Sequence, residues 1–112
     1  MEKDRRSAPR VRVNLTARWE GVLTGQKATI TDISRNGCFV LSGGKVEVKE
    51  LIFLEIELPH RLPVSFWAEV VDEASDIGFA VRFNSSSDDD QARLESFIDE
   101  VFNSQPIKRS ET

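Results

Sequence analysis

A chain of 112 residues, 39% hydrophobic and 30% charged, has the size and balance of one globular domain with a modest core. Its net charge of −4 argues against a general polyanion surface, so no nucleic-acid polymer is expected as a partner. The charge is uneven: residues 1–20 hold six basic and three acidic side chains, or +3, which leaves −7 for the remainder. A basic segment on an acidic body points to a local anion site.

Residues 1–9 have no periodicity and almost no apolar content, so they are expected to form a flexible basic arm. Pro9 biases Ala8 to an extended conformation and feeds the chain into a strand. From residue 10, Val11, Val13 and Leu15 alternate with Arg10, Arg12 and Asn14, and the pattern continues to Trp19. Period 2 predicts one buried and one basic face. Gly21 and Gly25 bracket a loop. Residues 27–33 and 38–41 read as a second and third strand, joined through Asn36-Gly37, a hairpin signal because both residues tolerate positive φ. Asp32 and Ser34 alternate along the incoming strand and are expected to share one face.

Residues 42–44 form a connection, and 45–51 fit either an edge strand or a loop. Residues 52–58 alternate strictly from Leu54 and predict a strand that Pro59 ends. A Pro-flanked turn at 59–63 holds His60. Residues 64–72 are the next strand, 73–76 a turn, and 77–83 a further strand with Phe79, Val81 and Phe83 on one side. The period then changes. A serine run followed by Asp88, Asp89 and Asp90 caps a helix and favours the positive end of its dipole. Leu94, Phe97, Ile98, Val101 and Phe102 make one apolar stripe, so a helix spans about 88–103. About six short strands predict a small barrel or sandwich with one amphipathic helix. The domain runs over 10–104, and 105–112 is a polar tail. Trp19 and Trp67 fit core or interface equally.

Catalytic readings start weak. A nucleophilic triad needs a positioned base, and the one His, His60, reads as a solvated loop residue. The one cysteine, Cys38, follows a glycine into a strand and reads as core; with no second cysteine, a reducing cytoplasm fits. No zinc spacing, calcium-loop pattern or phosphate-binding glycine signature occurs, so no metal or cofactor is expected and the protein is not read as an enzyme. The N-terminus is charged with no apolar stretch behind it, so no secretory leader is expected. No apolar run approaches the roughly 20 residues of a bilayer span, so no membrane insertion is expected.

The arginines remain. Arg5, Arg6 and Arg10 lie on or at the root of the arm, and guanidinium forks bind phosphate and the O6/N7 edge of guanine. Alone, such an arm is better explained by a solvated basic tail. Arg6-Ser7-Ala8-Pro9-Arg10, followed by Asp32-Ile33-Ser34-Arg35-Asn36-Gly37, fits the ordered pair R-x-x-x-R and [D/N]-x-S-x-x-G at all five defining positions. This resembles the PilZ family of bacterial cyclic di-GMP receptors. The resemblance implies a six-stranded antiparallel β-barrel with a C-terminal helix, and covers most of the chain. It implies that Arg6 and Arg10 hold the phosphates and guanine edges of cyclic di-GMP. Asp32 and Ser34 would bond guanine and phosphate, and Gly37 would permit a close turn. An arginine at the position of Arg5 goes with an intercalated ligand dimer in the family, which favours two ligands per protomer over one. Arg35 is either a further guanidinium or a solvent-facing turn residue.

The function expected on this resemblance is a receptor and adaptor. Ligand would order the arm against the barrel and alter the surface offered to an effector protein, with the receptor a monomer or homodimer. The alternative is a PilZ-like interaction module that works without ligand. A nucleotide hydrolase is the weakest reading, for want of base, nucleophile and metal ligands.

Overall fold

Alternation sends one side chain of every two inward along six antiparallel strands. In the computed structural model, which describes residues 9–22, 25–74 and 77–104, these inward faces close on one another. The strands are β1 (Val11–Glu20), β2 (Gly25–Ile33), β3 (Gly37–Leu41), β4 (Leu51–Ile56), β5 (Val64–Ala74) and β6 (Gly78–Ser85), followed by helix α1 (Asp88–Asn103). Their order round the wall is β1-β2-β3-β6-β5-β4. Since β1 pairs with both β2 and β4, no edge is left and the fold is a closed barrel, not a sandwich.

The predicted inward residues fill the barrel. Val11, Leu15, Ala17 and Trp19 of β1 meet Phe66, Ala68 and Val70 of β5 and Phe79 and Val81 of β6 in one core. Trp19 settles as core: its ring stands edge-on to Phe79 at 5.3 Å and 82°. Its indole N–H donates to Ser42 Oγ at 3.0 Å. Trp67 faces outward instead, 49% exposed.

The connection from β3 to β4 crosses one end of the barrel and buries its own Ser42 and Val46 there. Residues 45–50 are thus loop, not edge strand, and only Leu51 joins β4. Helix α1 closes the opposite end. Leu94, Phe97 and Ile98 are buried there, each contributing roughly 1.5–3 kcal/mol. Val101 is half-buried, but Phe102 at the end of the stripe is 44% exposed. Ser87 caps the helix as expected, accepting from the Asp90 N–H at 3.0 Å. Asp90 in turn accepts from the Ser65 N–H at 2.9 Å, which ties α1 to the start of β5. Farther along, Arg61 pairs with Glu100 at 2.6 Å and holds that carboxyl below its ordinary range.

Other boundaries differ by a few residues. β2 starts at Gly25, and β4 stops at Ile56, although the Glu57 N–H still donates to Thr16 O at 2.9 Å. β5 runs through Ala74, and the Ile77 N–H donating to Ala74 O at 3.0 Å closes the turn to β6. The expected polar tail and, apart from Pro9, the expected flexible arm lie outside the described residues.

Candidate functional site

The paired motif comes together at the end of the barrel that α1 closes. β1 begins there and β2 ends there, with Arg12 in register opposite Asp32 and Val11 opposite Ile33. Arg10, one residue before β1, reaches back along this pairing and its Nη1 donates to Asp32 Oδ1 at 2.5 Å. The two side chains are 56% and 33% exposed, so the pair lies at the surface. A surface pair contributes at most about 1 kcal/mol, so a competing ligand can take it apart cheaply.

Beyond Asp32 the turn departs from expectation. Among the described residues only Lys49 (φ 82°) and His60 (φ 60°), besides no glycine, have positive φ, so Asn36-Gly37 is not a left-handed hairpin turn. The reversal is held by hydrogen bonds instead. The Ser34 N–H donates to Gly37 O at 2.9 Å, and Ser34 Oγ accepts from the Asn36 N–H at 3.1 Å. Ser34 is consequently 4% exposed and does not share an open face with Asp32. β2 ends at Ile33, so Ser34 already belongs to the turn and the strand alternation that predicted a shared face no longer governs it.

Gly37 is needed for a different reason than turn conformation. A Cβ there would meet Val81 O at 2.2 Å and Arg82 Cα at 3.2 Å. β3 and β6 approach too closely for a side chain, and Gly78, whose Cβ would meet Val40 O at 2.2 Å, repeats the device at the far end of the same pair.

Arg35 is exposed at the tip of the turn. Its carbonyl accepts from Gln91 Nε2 of α1 at 3.5 Å. Two clefts flank it. One of about 150 Å³ is lined by Pro9, Arg35, Glu95, Ile98 and Asp99. The other, of about 310 Å³, runs from Asn36 past Phe83 to Ser87 and Gln91. The sequence reading missed this contribution of α1. The signal was available: Gln91, Glu95 and Asp99 fall at i, i+4 and i+8, a polar stripe beside the apolar one. A larger hollow of about 800 Å³ opens at the opposite end, between Trp19, Val22 and residues 45–50. Size alone would favour it, but the Arg10–Asp32 pair and the Ser34–Gly37 turn lie together at the α1 end.

Under the Arg10–Asp32 pair lies Cys38, in register with Ile33 and fully buried. Burial pushes its thiol far above the ordinary value, and the Asp32 carboxylate adds to this against the opposing Arg10. The cysteine is core, as expected. Arg5 and Arg6 lie outside the described residues, so the structure brings together Arg10, Asp32, Ser34, Arg35 and Gly37 of the seven candidates.

A sequence model of the PilZ domain matches residues 4–100. The chain belongs to the PilZ domain family. Three solved structures are similar to it in fold. The Bacillus subtilis inhibitor of motility (MotI/DgrA) superposes with a TM-score of 0.73 at 18% identity, covering 88% of this chain and 52% of that one. YcgR from Escherichia coli, solved in complex with c-di-GMP, gives 0.73 at 15% identity over 96% of this chain and 50% of its own. The PilZ domain of CeSA from a cellulose-synthesizing bacterium gives 0.60 at 13% identity over 85% and 96%. The chain thus spans about half the length of the first two. No curated protein matches it in sequence. At these identities the likeness is one of fold alone. Among the described residues, no His, Cys, Asp or Glu group is placed to hold a metal, and no helix is long and apolar enough to cross a membrane.

Proposed function

We propose that this PilZ domain is a cyclic di-GMP receptor that acts on another protein. The observation that carries the reading is the Arg10–Asp32 pair at the root of an arginine-bearing arm, beside a turn whose residues complete the family's paired motif. In the bound state Arg6 and Arg10 take phosphate and guanine acceptors. Asp32, released from Arg10, accepts from guanine N1–H and N2–H₂. Ser34 holds the turn in shape and Gly37 keeps β3 against β6. Arg35 stands at the rim for a further contact, and Arg5 favours a second ligand.

Energetics support the exchange. Separating the surface pair costs at most about 1 kcal/mol. Each charge-assisted hydrogen bond that replaces it contributes roughly 1.5–3 kcal/mol. The surplus is what orders the arm. The ordered arm, lying against the turn and the polar stripe of α1, is the surface that an effector protein reads. YcgR, the relative solved with c-di-GMP, is consistent with this ligand class.

Titration calorimetry with cyclic di-GMP tests the reading. Wild-type protein should bind, with one or two ligands per protomer, and Arg6→Ala, Arg10→Ala or Asp32→Ala should remove most of the affinity. Absence of heat with correctly folded wild-type protein sinks it.

A second reading, a ligand-independent interaction module, is favoured by one feature. Phe53 and Trp67 stand exposed on the outer wall of β4 and β5, edge to face at 5.2 Å and 65°. Partner capture that is the same with and without cyclic di-GMP would select this reading over the first.

A further inference from the structure

Arg82 lies on the same outer wall as the motif, across the bare position of Gly37. In register, Gly37 of β3 faces Arg82 of β6, and Arg82 faces Glu69 of β5. Val81 is buried and Arg82 exposed, so its guanidinium points away from the core. One step along the strands, Asp32 faces Phe39 and Phe39 faces Ala80. Phe39 is half-buried and Ala80 is small, so the wall between Asp32 and Arg82 is low and partly aromatic. Two guanidinium–carboxylate pairs frame it: Arg10–Asp32 on one side, and Arg82–Glu69, at 2.9 Å, on the other. Asp32 and Arg82 stand two strands apart and two residues out of level, about 12 Å between backbones, a distance that the long Arg82 side chain shortens toward a cyclic dinucleotide whose one end rests at Asp32.

We infer that Arg82 is a further ligand-binding guanidinium of this site and that Glu69 holds it in reserve until the nucleotide arrives. The inference rests on the cyclic di-GMP reading. Arg82 is 62% exposed and Glu69 26%, so the pair breaks easily and the fork is free to turn toward phosphate or guanine acceptors above Gly37 and Phe39. Glu69 is a competitor for Arg82, so its removal should favour the ligand.

Calorimetry with cyclic di-GMP on four proteins tests this, with far-UV circular dichroism and thermal melts as controls of folding. Arg82→Ala should weaken binding about tenfold, the effect of one lost charged hydrogen bond. Glu69→Gln should tighten it about two- to threefold, the effect of one released surface pair. The double variant should match Arg82→Ala, because Glu69 acts only through Arg82. Wild-type affinity in Arg82→Ala, or weaker binding in Glu69→Gln, overturns the inference and leaves the receptor reading intact. Absence of wild-type binding overturns both. Should Arg82→Ala fail to fold, Arg82→Gln and Glu69→Gln make the same test.

Discussion

Replacing Gly37 with Ala places a methyl group 2.2 Å from Val81 O and 3.2 Å from Arg82 Cα. A carbon–oxygen contact relaxes to about 3.4 Å, so β3 must move away from β6 by about 1 Å or distort locally. Both neighbours are backbone atoms of a paired strand, with no flexible side-chain end to yield. Overpacking of this kind costs roughly 1–3 kcal/mol. In a domain of this size each kcal/mol lowers Tm by roughly 4–8 °C. Thermal unfolding by circular dichroism should therefore show a clear fall for Gly37→Ala. The informative companion is Gly37→Asn. If Gly37 were present for a left-handed turn, Asn would be the best tolerated replacement and Ala worse. The observed contacts predict the reverse, because Asn brings the same Cβ and more behind it. Asn melting at or near wild type, with Ala below it, would refute the close-approach argument.

Two further tests concern buried polar and thiol groups. Ser42→Ala leaves the Trp19 indole N–H without the acceptor it now holds at 3.0 Å, and should cost about 1–3 kcal/mol in chemical denaturation; Ser42→Thr should cost less, since it keeps the oxygen. Cys38, buried with its thiol pushed upward, should resist a thiol reagent at neutral pH until the protein unfolds, so the labelling rate should track the unfolding equilibrium. Rapid labelling of native protein would show that the floor beneath Asp32 is open.

Strand alternation carried most of the fold because burial of one face is a two-residue property. Phe66, Ala68 and Val70 go inward and Trp67 outward, as the pattern of that stretch requires. Whether six such strands close into a barrel or stack as a sandwich depends on β1 pairing with β4 across 30 or more residues, which no local pattern encodes. The motif residues were legible through spacing, but their local roles were not. β2 stops at Ile33 and the turn's own hydrogen bonds hold Ser34 inward, and the need for Gly37 comes from β6, more than 40 residues on. The part played by α1 required knowing which end of the barrel it covers.

The site and the core use different classes of interaction, and this bears on how a bound ligand could be read out. Beneath Asp32 lie Val11, Ile33 and Cys38, all essentially inaccessible and packed on both sides. Displacing any of them would cost several kcal/mol, since interiors pack at crystal-like density. Above them, the Arg10–Asp32 and Arg82–Glu69 pairs and the Gln91 contact to Arg35 are exposed or partly so, each contributing on the order of 1 kcal/mol or less. A nucleotide at this rim would, on the receptor reading, exchange all three without disturbing the barrel. On the receptor reading, the change presented to a partner is therefore confined to the arm, the Ser34–Gly37 turn and the polar stripe of α1. The barrel would on that reading be the fixed part against which those elements rearrange.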